Sequence, residues 1–311
     1  NWRKLNKDLA FLSEPEVLAL LTAEFEKLGL KPGNKGSWFQ DVPLVEITAK
    51  NVSALSFTGG KAPITATYGP EMVIGTYRTT QPRIEVKDSP VVFVGYGINA
   101  PEKGWNDYAG LDVKGKTLVM LINDPPVADP ADPAKLDAKL FGGRAMTYYG
   151  RWTYKFDKAA EMGADGVIIV HQTPTAGYGW NVVQGMGGER FDAVTPNKNM
   201  DKAKVHGWMS LDTAKAIFAM AGQDFDKAQA AAATKAFTPI DLKLNASVSF
   251  SIKQRTVDSQ NVLAVLPGSD PTLKNEYVVF TSHWDHFGRG VAINGDDIYN
   301  GAADDASGVA G

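Results

Sequence analysis

The sequence predicts an α/β protein in which one α/β domain is interrupted by another. Three observations carry this. Near-continuous apolar runs, "PVVFV", "GVIIV" and "YVVF", read as strands covered on both faces. Segments with helical spacing and capping residues separate them. The texture also changes twice along the chain, near residues 64 and 244, which divides it into a first segment 1–63, an insert 64–243 and a second segment 244–311.

The first segment opens with a helix. In "SEPEVLALLTAEFEKLGLKPG", Ser13 suits the N-cap and Pro15 the first turn. Val17, Leu18, Leu21, Phe25 and Leu28 share helical spacing, and Gly29 ends the pattern. "WFQDVPLVEITAK" and "SALSFTG" follow as strands. The insert alternates strands with helices: "PVVFVGYGI", "KGKTLVMLIND", the helix and strand of "WTYKFDKAAEMGADGVIIVHQ", and the capped helix "SLDTAKAIFAMAG". "PPVADPADPAKLDAK" reads as an exposed loop, and "GYGWNVVQGMGGERF" as a mobile one whose glycines are weak evidence for phosphate binding. The Ala-rich "DKAQAAAATKAF" is a further helix. In the last segment "ASVSFSIKQ" puts Val248, Phe250 and Ile252 on one face, and "NVLAVLPGSD" and "EYVVFTSHWD" read as buried strands. "SGVAG" begins another helix, which suggests a fragment of a longer chain.

Composition narrows the function. With 311 residues, 44% hydrophobic and 22% charged, the chain has the balance of a soluble globular protein. A net charge of −3 gives no electrostatic case for nucleic acid. No apolar run approaches the ~20 residues of a membrane span. There is no cysteine, so disulfides, thiolate ligands and cysteine nucleophiles are excluded together. The chain starts at Asn1 rather than Met, which suits processing or a removed signal peptide. No G-x-S-x-G elbow marks a serine hydrolase.

Chemistry concentrates near the end. Of four histidines, two lie in "TSHWDHFGRG", residues 281–290, directly after an apolar run. Open α/β sheets place their sites at such strand ends. His283 and Asp285 are two apart, so one can ligate a metal while the other orients it. A second cluster, "YNGAADDASGVAG", offers Asp304 and Asp305 at the start of a helix, where carboxylates are favoured. The alternative is that the pair is only an N-cap. His286 is a further ligand candidate, though a surface role is the commoner case. His171 and His206 read as structural. Ser282 precedes His283 with no partner indicated. The dense aromatics Tyr148, Tyr149, Trp152, Tyr154, Tyr178 and Trp180 read as core, with an apolar lid over a substrate side chain as the alternative.

"SHWDHFGRG…DDIYNGAADDASGVAG" resembles the first half of the metal-binding core of the co-catalytic zinc aminopeptidases, the family of bacterial leucyl aminopeptidases, glutamate carboxypeptidase II and the transferrin receptor. "PVVFVGYGINAPEKGWNDYAGLDVKGKTLVMLIND" and "KAAEMGADGVIIV" resemble the protease-associated domain inserted in that family, and "AEFEKLGLKPGNKGSWFQDVPLVEI" resembles its lead-in. The resemblance implies a zinc-exopeptidase-type mixed sheet with flanking helices, interrupted by a protease-associated domain. It implies a periplasmic or secreted aminopeptidase that hydrolyses N-terminal residues from peptides through a water bridging two Zn2+ ions. By the same resemblance His283 is a terminal ligand of one zinc, Asp285 orients His283, and Asp304 bridges both ions. Asp305 receives no ligand role and reads as structural. The family completes its site with a Glu–Glu pair, an Asp and a second His that this sequence does not contain, so the chain as given is expected to be inactive. Two other readings fit the same fold: a non-catalytic binding protein, and a single-zinc enzyme of the glutaminyl cyclase type.

Overall fold

The computed structural model describes residues 13–185 and 189–311. Gly187 and Gly188 of the glycine-rich loop lie outside them. The chain divides into two compact units, one formed by the chain up to Val42 together with Asp258–Gly311, the other by Pro43–Val257.

In the first unit, helix α1 spans Glu14–Lys27. Ser13 and Glu16 form its capping box: the Glu16 carboxylate accepts from the Ser13 amide and hydroxyl, both at 2.7 Å. Leu18 is its buried residue, and Gly29 leaves the helix at φ +78°, as the sequence predicts. Strand β1, Lys31–Pro32, pairs antiparallel with Ala264–Val265, and Phe25 stacks on Trp38 at 6.3 Å.

The second unit is built on a mixed sheet. Its strands, in chain order, are β2 (Phe39–Lys50), β3 (Leu55–Thr58), β4 (Ile64–Ala66), β5 (Met72–Gly75), β6 (Arg83–Phe93), β7 (Thr117–Leu121), β8 (Gly166–Val170), β9 (Glu189–Ala193), β10 (Val205–Met209) and β11 (Ile240–Val262). They lie in the order β9-β2-β11-β6-β7-β8-β10-β5, with β3 against β11 and β4 against β3. The centre is parallel: Val91, Thr117 and Gly166 are in register across β6, β7 and β8, and Gly166 pairs with Val205 of β10. The flanks are antiparallel. This is the mixed α/β sheet with flanking helices that the sequence predicts.

Strand β7 shows why these runs are apolar throughout. Leu118 and Met120 belong to one core, with Phe156 and Ala159 of helix α2 (Trp152–Glu161). Val119 and Leu121 belong to the other, with Ile217 and Phe218 of α3 (Leu211–Met220) and Ala228 and Ala232 of α4 (Phe225–Ala232). Successive side chains point to opposite faces, and each face carries helices. Gly207 in β10 is required by space: a Cβ there would stand 2.2 Å from the Val73 carbonyl oxygen.

One predicted strand is not formed. "YVVF" and the residues after it, up to Phe287, have no strand pairing, and Tyr277, Val278, Val279 and Phe280 are 75% to 92% exposed. Among the described residues no backbone ladder reaches this segment. A strand needs a neighbour for its N–H and C=O groups, and apolar β-branched composition alone does not supply one.

Candidate metal centre

Two loops of the first unit make the candidate site. The first, 281–287, follows the extended apolar segment. The second follows a hairpin of β12 (Gly288–Ile293) and β13 (Asp296–Tyr299) and enters the terminal helix α5 (Ser307–Ala310). The hairpin is pinned by Arg289, whose guanidinium donates to the Asp297 carboxylate at 3.1 and 3.2 Å. It closes the 21-residue separation between His283 and Asp304. Gly301 then allows close approach: at φ +62° it lies against the His286 ring, and a Cβ would meet ring carbons at 2.4 to 2.7 Å.

The structure brings the three predicted residues together. His283 Nε2 stands 2.9 Å from Asp304 Oδ1. On the other side of the ring, Nδ1 stands 2.9 Å from the Asp285 backbone carbonyl and 3.6 Å from the Asp285 carboxylate. The short contact with Asp285 is thus made by its main chain. Nδ1–H donates to that carbonyl, and this fixes the imidazole's orientation. The Asp285 carbonyl, then the Asp304 carboxylate, hold the His283 imidazolium above the usual histidine range. Asp304 is exposed and has backbone angles φ −130°, ψ 87°, and its peptide bond to Asp305 is cis.

His286 is engaged elsewhere. Its Nδ1 accepts from the Phe287 amide at 2.7 Å and its ring packs edge-on to Phe287 at 4.5 Å. His171 and His206 are buried in the other unit, 4% and 2% exposed. His206 is stacked on Tyr77 at 4.2 Å and hydrogen-bonded to Arg190. Burial, with the Arg190 charge beside it, keeps it neutral far below the usual histidine range.

The sequence leaves Ser282 without a partner and Asp305 with a structural reading; the structure joins the two. Ser282 Oγ donates to Asp305 Oδ2 at 2.7 Å and lies 3.1 Å from the Asp305 carbonyl oxygen. Their position beside His283 and Asp304 is the only signal the sequence carries for them.

An exposed imidazole and carboxylate whose donor atoms nearly touch are donors of the type zinc takes. They fit as part of such a site. Among the described residues no third His, Cys, Asp or Glu completes a cluster. The arrangement brings one histidine and one carboxylate together from two loops, both of them donor types that a divalent cation takes.

Residues 261–311, the segment that holds both loops, match the model of Peptidase family M28. No curated protein matches the chain. Among solved structures, the chain aligns with an aminopeptidase from Aneurinibacillus sp. strain AM-1 at 19% identity and a TM-score of 0.43, covering 99% of this chain and 56% of that one. It aligns with BSAP, a zinc aminopeptidase from Bacillus subtilis, at 15% identity and TM-score 0.30, covering 95% and 49%. For a Peptidase M28 precursor from Shewanella amazonensis SB2B the values are 14%, 0.31, 84% and 52%. The chain spans about half the length of each of these structures.

Proposed function

We propose that this chain carries part of the catalytic domain of a zinc-dependent exopeptidase, an aminopeptidase that removes N-terminal residues from peptides. The observation that carries this is the meeting of His283 Nε2 and Asp304 Oδ1 at 2.9 Å inside the segment that matches the M28 family. In this reading His283 is a terminal ligand of one zinc and Asp304 the carboxylate shared by two. Asp285 fixes the ring through its carbonyl, so that Nε2 is the nitrogen presented. For that nitrogen to serve as a ligand, His283 gives up its Nε2 proton. Bound zinc would supply Lewis acidity toward the substrate's peptide carbonyl and lower the pKa of water beside it.

The reading extends to the rest of the chain. Residues 64–243 are proposed as an inserted protease-associated domain between two peptidase segments, 1–63 and 244–311. No helix among the described residues is long and apolar enough to cross a membrane. A periplasmic or secreted location is part of the proposal.

The test is metal analysis of the full-length protein with turnover of an aminoacyl-anilide, before and after chelation. Zinc content near two ions per chain, with activity lost on chelation and restored by zinc, is the expected result. Activity that survives complete removal of zinc overturns the reading.

A further inference from the structure

The two ligand loops meet at two neighbouring rungs that run in an antiparallel sense, 283 with 304 and 282 with 305. The first rung is the His283–Asp304 pair. The second, between Ser282 and Asp305, has no role in the proposed chemistry, yet it is the shorter of the two contacts, 2.7 Å against 2.9 Å.

Asp305 is fully committed to holding the loops. Its Oδ2 accepts from the Ser282 hydroxyl at 2.7 Å and from the His283 amide at 3.4 Å, and its Oδ1 accepts from the Gly308 amide at 3.2 Å. All three partners are donors. Asp304, by contrast, makes its side-chain hydrogen bond, among the described residues, with the His283 ring alone. One aspartate of the pair thus has free coordination capacity and the other has little.

Gly308 gives an independent sign that this junction is built. A Cβ at Gly308 would stand 2.5 Å from Asp305 Oδ1, 2.7 Å from Ser282 Oγ and 2.8 Å from Asp305 Oδ2. Its φ is not in the left-handed region. Glycine is therefore required by space: the helix backbone closes directly on the serine–aspartate contact, and any side chain would wedge it open.

We infer that Ser282 and Asp305 form a clasp that sets the separation of His283 and Asp304, and are positioning residues for the cation site. The inference rests on the reading of His283 and Asp304 as zinc ligands. The clasp joins loops 22 and 23 residues apart in sequence, each time through the residue adjacent to a donor. Exposed side chains lose rotamer freedom when they chelate a cation, and a partner that has already fixed the backbone on both sides reduces that loss.

The experiment compares S282A, S282T, D305A, the S282A/D305A double variant and H283A in the full chain. Zinc affinity is read by competition with a chromophoric chelator. His283 amide exchange is read by NMR on metal-free protein. S282A and D305A are each expected to weaken zinc binding about ten- to 100-fold. S282T keeps the hydroxyl and should stay within about threefold of the parent. The double variant should be no weaker than D305A, because D305A already removes the contact that S282A removes. Without metal, D305A should speed His283 amide exchange about threefold or more through loss of the carboxylate it donates to. If D305A and S282A bind zinc like the parent while H283A does not, the clasp is overturned and the ligand reading stands. If H283A itself binds zinc like the parent, the ligand reading fails. The clasp is then decided by exchange alone: faster exchange in D305A supports it, an unchanged rate overturns it.

Discussion

The molecule holds two polar clusters at loops that follow apolar segments, and they are opposites. One is the buried Asp107–Lys155 network of the sheet unit. Lys155 is fully buried and donates to the carbonyls of Tyr96 and Asn123 at 2.5 and 3.0 Å, in the turns after β6 and β7. Asp107, 2% exposed, accepts from the Ile98 amide at 3.0 Å and from Trp105 Nε1 at 2.8 Å. The other is the exposed His283–Asp304 pair. In the first, donors and acceptors are taken up by the protein itself, so the charges hold loops in place. In the second, both ring nitrogens are hydrogen-bonded, but the pair is exposed and the Asp304 carboxylate keeps lone pairs open to solvent. Charge alone does not separate a structural cluster from a functional one; what separates them is whether the lone pairs and protons are already used.

The sharpest way to break this contrast is to remove the central group of each cluster and compare. K155A strips the donor from two buried carbonyls and leaves a cavity. It should destabilise the sheet unit by roughly 3–5 kcal/mol, measured by denaturant unfolding. If H283A costs as much, the exposed pair is structural too and the distinction collapses.

A second prediction concerns pH. Burial raises the Asp107 carboxyl to about 6 and lowers the Lys155 ammonium to about 8. Unfolded, the aspartate titrates near 4, so between about pH 4 and pH 6 the folded state binds more protons than the unfolded one. Stability therefore falls as pH rises through that window, by about 3 kcal/mol for this one group. The lysine acts in the opposite sense on the alkaline side: above about pH 8 the folded state binds fewer protons, and stability recovers as pH rises toward 10. Unfolding of the parent and of D107N across pH 4–8 checks the acid limb. The difference between them should slope in that window, and a flat difference would remove Asp107 from the account.

The same contrast explains what could be read from the sequence. The parallel strands were legible because β7 and β8 bury both faces and carry no charged residue to confuse the pattern. Ser13 and Gly29 marked the ends of α1 through local chemistry alone. His283, Asp285 and Asp304 were legible because the two motifs together resemble the zinc aminopeptidases; the His-x-Asp spacing by itself was a weak signal. "YVVF" was misleading for the converse reason: its composition encodes a preference for strand, while pairing depends on a partner elsewhere in the chain. Ser282 and Asp305 were hidden because serine and aspartate have many roles. Only a contact across 23 residues gives them one. Lys155 was hidden likewise, since nothing in "WTYKFDK" indicates a lysine with no exposure.

Cation binding should act on one unit only. With zinc at ten times its dissociation constant, the unit containing Asp258–Gly311 should gain about 1.4 kcal/mol by mass action. Hydrogen exchange resolved by peptide can read this. Protection should rise in peptides covering 281–287 and 301–311 and stay unchanged in β7 and β8. Equal protection of both would mean that zinc binds somewhere other than the candidate site.

The smallest expected effect is the most discriminating. H283A and D304A remove exposed groups whose side-chain contacts, among the described residues, are with one another and with Asp285, so each should change unfolding free energy by less than about 0.5 kcal/mol without metal. Yet each removes one of two donors and should abolish the zinc-induced protection altogether. A site that is nearly silent in stability and decisive in binding is what an exposed, incompletely used pair predicts. A loss of stability well above that bound in either variant, in metal-free protein, would show that the pair's own hydrogen bond holds the loops together. The clasp at Ser282 and Asp305 would then be redundant, because the ligands would be positioning themselves.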